Sequence, residues 1–150
     1  MIRDDIKAAT ITAMKAKDAV RLGTLRLISA ALKNKDIELR TGTAPTDDDV
    51  LVADVLSKMA KQRRESIEMY VTGGRPELAD AERAELGVIE GFMPAQMAAG
   101  EAQAAVRALV LELGATSVKD MGRVMAAVRE RFAGQLDMAQ ASAMVKAALG

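Results

Sequence analysis

The sequence predicts an all-α protein, with a helical N-terminal lobe over 1–93 followed by a three-helix C-terminal bundle over 94–150. Three observations point there. Apolar residues recur at three- and four-residue steps through most of the chain. The three prolines fall at Pro45, Pro76 and Pro94, where those stretches meet. No segment shows the alternation of β-branched residues that marks a strand.

Each element follows from its pattern. A first helix over about 4–17 places Ile6, Thr10, Ala13 and Met14 on one side. A longer second helix, about 19–40, repeats Leu22, Leu25, Ile28, Leu32 and Leu39, and the stretch from Thr41 to Pro45 ends it. Thr46 reads as the N-cap of a third helix over about 47–72, where Asp47, Asp48 and Asp49 suit the positive end of the helix dipole. These acids lack the ligand spacing of a calcium loop, so they are read as dipole complement and not as a metal site. The stripe of this helix is Val52, Val55, Leu56, Met59, Ile67 and Tyr70, and Gly73-Gly74 stops it. Pro76 suits the first turn of an acidic fourth helix over about 76–91, carrying Leu78, Leu86 and Ile89.

Phe92-Met93-Pro94 breaks the pattern, and a trio of helices follows. The fifth, about 99–113, carries Ala102, Val106, Leu109, Val110 and Leu113. The sixth, about 117–132, carries the seam Val118, Met121, Met125, Val128 and Phe132. The seventh has Asp137 as N-cap with Gln140 three residues on, in the manner of a capping box, and presents Met138, Ala141, Val145 and Leu149.

Composition excludes much chemistry. At 150 residues the chain buries roughly 70% of its unfolded surface, enough for a core without staples. Cysteine and histidine are both absent, which removes disulfides, Cys/His zinc sites, thiol nucleophiles and every triad with an imidazole base. Lys+Arg and Asp+Glu balance at 21 each, so no global field draws the chain to DNA or membranes. Three aromatics (Tyr70, Phe92, Phe132) are too few for a base-stacking platform. The opening residues carry Asp4 and Asp5 and no apolar signal core, and no run approaches the roughly 20 apolar residues of a spanning helix, so the expected location is cytoplasmic. Phosphate-binding glycine loops, a G-x-S-x-G elbow and an S-x-x-K pair are all missing, so no nucleophile, base and oxyanion donor assemble. Glu82 and Glu85, one turn apart on one helix, do not form the facing walls that glycoside chemistry needs. The ten methionines sit mostly on helix seams, where they serve as flexible core filler. No catalytic residue, cofactor or metal is assigned.

The balanced charge is unevenly distributed. Residues 1–40 hold nine bases against five acids, residues 58–64 hold four bases and no acid, and residues 65–90 hold seven acids against two bases. Oppositely charged helices pairing with one another is one reading; a basic face for phosphate is the other. In the second helix Arg26, Lys33 and Arg40 stand seven apart and form a slowly drifting ridge beside the leucine seam. In the third, Lys58, Lys61 and Arg64 share an outer face with Glu65 and Glu68, whereas Arg63 lies in the apolar stripe, four residues from both Met59 and Ile67. An arginine there needs a carboxylate, because stranding one partner of a buried pair costs roughly 3–5 kcal/mol. Arg63 is therefore expected to be largely buried and bonded to Glu82 or Glu85. Gly122, inside the sixth helix, costs roughly 1 kcal/mol relative to alanine, to be offset by a close helix approach or by a partner's backbone. Lys119 and Arg123 flank it, and the three together make a landing spot for phosphate.

The pieces also form an order. Leu25-Arg26-Leu27-Ile28, Ala31-Leu32-Lys33-Asn34-Lys35, Lys61-Gln62-Arg63-Arg64-Glu65-Ser66, Tyr70, and Gly74-Arg75-Pro76-Glu77-Leu78-Ala79 with Glu82 resemble the YqeY family. Phe92-Met93-Pro94-Ala95-Gln96-Met97 and Lys119-Asp120-Met121-Gly122-Arg123-Val124-Met125 continue the resemblance across essentially the whole chain. That family is similar to the C-terminal region of the B subunit of the glutamine-dependent tRNA amidotransferase, a helical connector plus a three-helix domain that contacts tRNA. The resemblance implies the two-lobe helical fold, and it explains a family label of carbon–nitrogen ligase with glutamine as amide donor. The amidase machinery and the ATP-dependent body of that enzyme have no counterpart here. One departure is the loop Gly134-Gln135-Leu136-Asp137-Met138, where related tails carry a basic residue and a second glycine.

The expectation is a stand-alone module associated with tRNA or another structured RNA, without catalysis of its own. Lys119, Gly122 and Arg123 form the first expected contact patch, and Lys58, Lys61 and Arg64 the second. Recognition would be of shape and phosphate, with no DNA sequence readout and no membrane. The alternative is a helical adaptor that grips an amidotransferase or translation protein. An enzyme completed by another subunit is the third reading.

Overall fold

Seven α-helices follow one another without a strand among the described residues, and the chain is all-α. The computed structural model describes residues 1–45 and 47–150. The helices are α1 (Ile2–Lys15), α2 (Ala19–Glu38), α3 (Asp48–Thr72), α4 (Pro76–Glu90), α5 (Ala99–Glu112), α6 (Met121–Arg131) and α7 (Met138–Leu149). Short 3-10 turns at Leu39–Thr41 and Val118–Asp120 extend α2 and precede α6. The chain divides into two compact units, Met1–Met93 and Pro94–Gly150.

In the first unit the apolar stripes meet in one core. Leu25, Ile28, Val52, Leu56 and Ile89 are completely buried, with Ile6, Leu32, Leu51, Val55 and Met59 around them. Burying each such aliphatic side chain is worth roughly 1.5–3 kcal/mol, which is what holds helices of only moderate intrinsic stability in place. Two details correct the sequence reading. Met14 is 53% exposed, because it projects beside Lys7 and Ile11 at the edge of the α1 stripe and misses the core. The N-cap of α3 is Asp47, whose carboxylate accepts from the Asp49 N–H at 2.9 Å; Thr46, expected in that role, lies outside the described residues.

The turns use local chemistry. Between α1 and α2, Lys17 adopts a left-handed φ of 56°, and Asp18 then caps α2 by accepting from the Arg21 N–H. Gly74, at φ 71°, closes α3 in the left-handed region where a Cβ would be strained.

In the second unit Val106, Leu109, Val124, Val128, Ala141 and Val145 form the buried centre, and Leu136 from the last loop joins them. The seam of α6 is shifted from the expected one. Val124 is buried, Met121, Met125 and Phe132 are partly buried, and Val118 is 53% exposed. The reason is the 3-10 turn: Val118 precedes the α-helix and falls out of phase with it. Asp137 caps α7 by accepting from the Ala139 N–H at 2.7 Å. Gln96 donates to the Gly134 carbonyl and the Met97 N–H to the Gln135 carbonyl, which ties the entrance of this unit to its last loop.

Candidate functional site

Arg63 lies where α3 packs on α4. Its Nε donates to Glu85 Oε2 at 2.8 Å and stands 3.4 Å from Glu82 Oε2. Its side chain is 17% exposed, so the group is largely buried. Glu82 Oε2 is itself enclosed and accepts no hydrogen bond among the described residues, so Arg63 is its electrostatic partner only. This cluster joins two helices through the Arg63 Nε.

The neighbouring basic run is partly occupied as well. Lys58 pairs with Asp54 at 3.2 Å and Arg64 with Glu90 at 3.1 Å, while Lys61 is exposed without an ion-pair partner among the described residues. Exposed pairs of this kind are worth about 0–1 kcal/mol, so they hold the side chains only loosely.

The Lys119, Gly122 and Arg123 group has a different arrangement from the expected one. Arg123 Nη1 donates to the Leu113 carbonyl at 2.8 Å and Nη2 to Asp120 at 3.3 Å, so this guanidinium caps the C-terminal end of α5. Asp120 in turn accepts from the Thr116 and Ser117 N–H groups, and these bonds, with Arg123 behind them, hold its carboxyl below the usual carboxylate range. Lys119 is exposed and has no ion-pair partner among the described residues. Gly122 is exposed, and a Cβ built on it meets nothing within 4 Å, so the close helix approach expected there is absent. Its position explains why it is tolerated: it is the second residue of α6, in the first turn, and not mid-helix.

A hub that the sequence reading missed ties α1 to the rest of its unit. Arg3 bonds Asp36 through Nη1 (3.0 Å) and Nη2 (3.1 Å), and Asp48 through Nε and Nη2, both at 3.0 Å. Hydrogen bonding to Arg3 pulls the Asp48 carboxyl below its ordinary value, and the two carboxylates hold the guanidinium firmly protonated. Asp49 completes the junction by accepting from the Ile2 N–H at 2.9 Å.

Once ion pairs are assigned, the remaining cations concentrate on α1 and α2. Of the bases in residues 1–40, only Arg3 and Lys35 stand within pairing distance of a carboxylate among the described residues. Arg21 stacks 6.0 Å from the Phe92 ring centre, and the ridge Arg26, Lys33 and Arg40 is exposed. A shallow cleft between the two helices is lined by Arg3, Lys7, Ser29, Lys33 and Asp36 over a floor of Ile6 and Leu32. No group of three or more Asp and Glu suited to a metal ion occurs among the described residues, and no helix among them is long and apolar enough to cross a membrane.

Comparison with known proteins adds the following. The model of the family described as Yqey-like protein matches residues 3–149. "Altered inheritance of mitochondria protein 41, mitochondrial" of Eremothecium gossypii is 36% identical over 107 residues, which is 71% of this chain and 55% of that protein. The protein of the same name from Meyerozyma guilliermondii is 36% identical over 92 residues, 61% of this chain and 46% of its own length. That from Lachancea thermotolerans is 32% identical over 114 residues, 75% and 57% respectively. The chain thus spans about half the length of the curated relatives it matches. These names correct the cytoplasmic expectation: the matched relatives are mitochondrial proteins, and the acidic opening residues on which that expectation rested do not define a compartment.

Proposed function

The chain belongs to the YqeY family, and on that premise we propose that it is a non-catalytic accessory module for structured RNA, tRNA included. In this reading the helical N-terminal lobe supplies the main phosphate-contacting face and the three-helix C-terminal bundle a smaller one. The observation that carries it is the surplus of cations without a partner among the described residues along α1, α2 and the 3-10 turn that extends α2, where Arg26, Lys33 and Arg40 lie exposed at seven-residue spacing. Lys61 and Lys119 add exposed charge elsewhere, and Lys58 and Arg64 exchange weak carboxylate partners for phosphate. Arg123, committed to the end of α5, contributes least. With only Tyr70, Phe92 and Phe132 as aromatics, recognition rests on shape and backbone charge.

A titration with tRNA across a salt series tests this. Affinity is expected to fall steeply with salt, and replacing Arg26 and Arg40 by Gln is expected to lower the log–log slope by roughly one per lost phosphate contact. The pair Lys119→Ala and Arg123→Ala is expected to change it less. An absence of binding at low salt refutes the reading. It would favour a helical adaptor for an amidotransferase or translation protein, for which the exposed Met69 (73%) and Val71 (55%) at the end of α3 offer apolar contact.

A further inference from the structure

We propose that the cleft between α1 and α2 is a binding site for a single phosphate group, held by Lys7, Lys33 and Ser29 with the remaining Nη1 proton of Arg3. The geometry carries this independently of the RNA reading. The cleft measures about 130 Å³, far above the roughly 10–15 Å³ that admits one water. Its walls carry three cations, Arg3, Lys7 and Lys33, and one acid, Asp36. That acid is already spent, because both its oxygens accept from Arg3.

Arg3 has five N–H donors, of which four are engaged by Asp36 and Asp48, so the guanidinium is fixed in place with one Nη1 proton left over among the described residues. Lys7 and Lys33 have no ion-pair partner among the described residues, although Lys7 lies near enough to Asp48 to favour its ionised form. Two lysine side chains thus line one small space without an ion-pair partner among the described residues. Ile6 and Leu32, 1% and 4% exposed, form its apolar floor. A tetrahedral oxyanion satisfies all of these at once: it accepts from two ammonium groups, a hydroxyl and one guanidinium N–H, and it relieves the repulsion between Lys7 and Lys33. A cation is repelled, and a neutral sugar or base offers acceptors but no negative charge to balance Lys7 and Lys33. The phosphate is either free, inorganic or on a small molecule, or part of an RNA backbone.

The test follows backbone amides by two-dimensional NMR while inorganic phosphate replaces chloride at constant ionic strength. The expected result is saturable shifts at Lys7, Ser29 and Lys33. Lys7→Gln and Lys33→Gln each weaken binding up to roughly fivefold, while Lys146→Gln, in the second unit, leaves it unchanged. Shifts that stay linear, that spread over all lysines, or that survive both cleft substitutions overturn the proposal. Adding tRNA to the phosphate-saturated protein separates the two sources. Displacement of phosphate at the cleft amides assigns the site to an RNA backbone phosphate, and undisturbed phosphate binding assigns it to a free phosphate. If tRNA binds elsewhere while phosphate never saturates, the cleft proposal fails and the RNA reading stands. If phosphate saturates and tRNA binds nowhere, the cleft stands alone.

Discussion

The pairs α1–α2 and α3–α4 lie in one unit and are both rich in charge, yet they dispose of it in opposite ways. On α3 the two arginines reach carboxylates on α4, Arg63 to Glu82 and Glu85 and Arg64 to Glu90, so their charge is consumed in joining helices. On α1 and α2, Arg3 plays that part, bridging to Asp36 and Asp48, and most of the other cations are exposed without an ion-pair partner among the described residues. Partnership distinguishes charge that builds the fold from charge that is available to a ligand.

Removing the bridge of the first pair should have the largest effect. Arg3→Met strands Asp36 and Asp48 and loosens α1 from α2 and α3 at once, with an expected loss of about 2–3 kcal/mol in denaturant unfolding. The same variant sharpens the comparison through pH. The Asp48 carboxyl is held below its ordinary 3.8, so its stabilising contribution is fully present above that value and is lost as pH falls through the depressed folded-state value. The gap between wild type and Arg3→Met should therefore narrow below about pH 4, measured by thermal unfolding across an acid series. Arg63→Met comes next, at about 1–2 kcal/mol. It leaves two carboxylates side by side, but Arg63 makes one hydrogen bond to them where Arg3 makes four to its own pair. A loss as large as that of Arg3→Met would break the contrast between a three-helix hub and a two-helix clasp. Last, Arg26→Gln with Arg40→Gln should move stability by no more than about 0.5 kcal/mol, since neither has an ion-pair partner among the described residues. A substantial drop in melting temperature would mean that this ridge is structural after all.

How much of this was legible in the sequence depended on distance along the chain. The helix order, the stop at Gly73-Gly74 and the buried Leu25, Ile28, Val52 and Leu56 all follow from local periodicity, which needs no knowledge of neighbours. The pairing of Arg63 with the acidic helix could be anticipated because an arginine in an apolar stripe demands a carboxylate, and only one nearby segment supplied several. Arg3 gave no such signal: its partners lie 33 and 45 residues away, and at the head of an amphipathic helix it reads as ordinary solvated charge. Gly122 misled for a related reason. A glycine's meaning depends on where the helix starts, and the 3-10 turn at Val118–Asp120 moved that start by several residues. The same shift put Arg123 within reach of Leu113, which spacing alone does not reveal.

The clamp of Arg123 on the last carbonyl of the fifth helix sets a condition on anything that would recruit it from outside. Its guanidinium serves one master at a time: drawn toward a visiting anion, it surrenders the Leu113 carbonyl to solvent, while the backbone bonds from Gly114 and Ala115 still close the helix. Recruitment there thus forfeits a carbonyl contact, whereas the ammonium groups of the first two helices that lack a partner among the described residues can be engaged without disturbing any backbone.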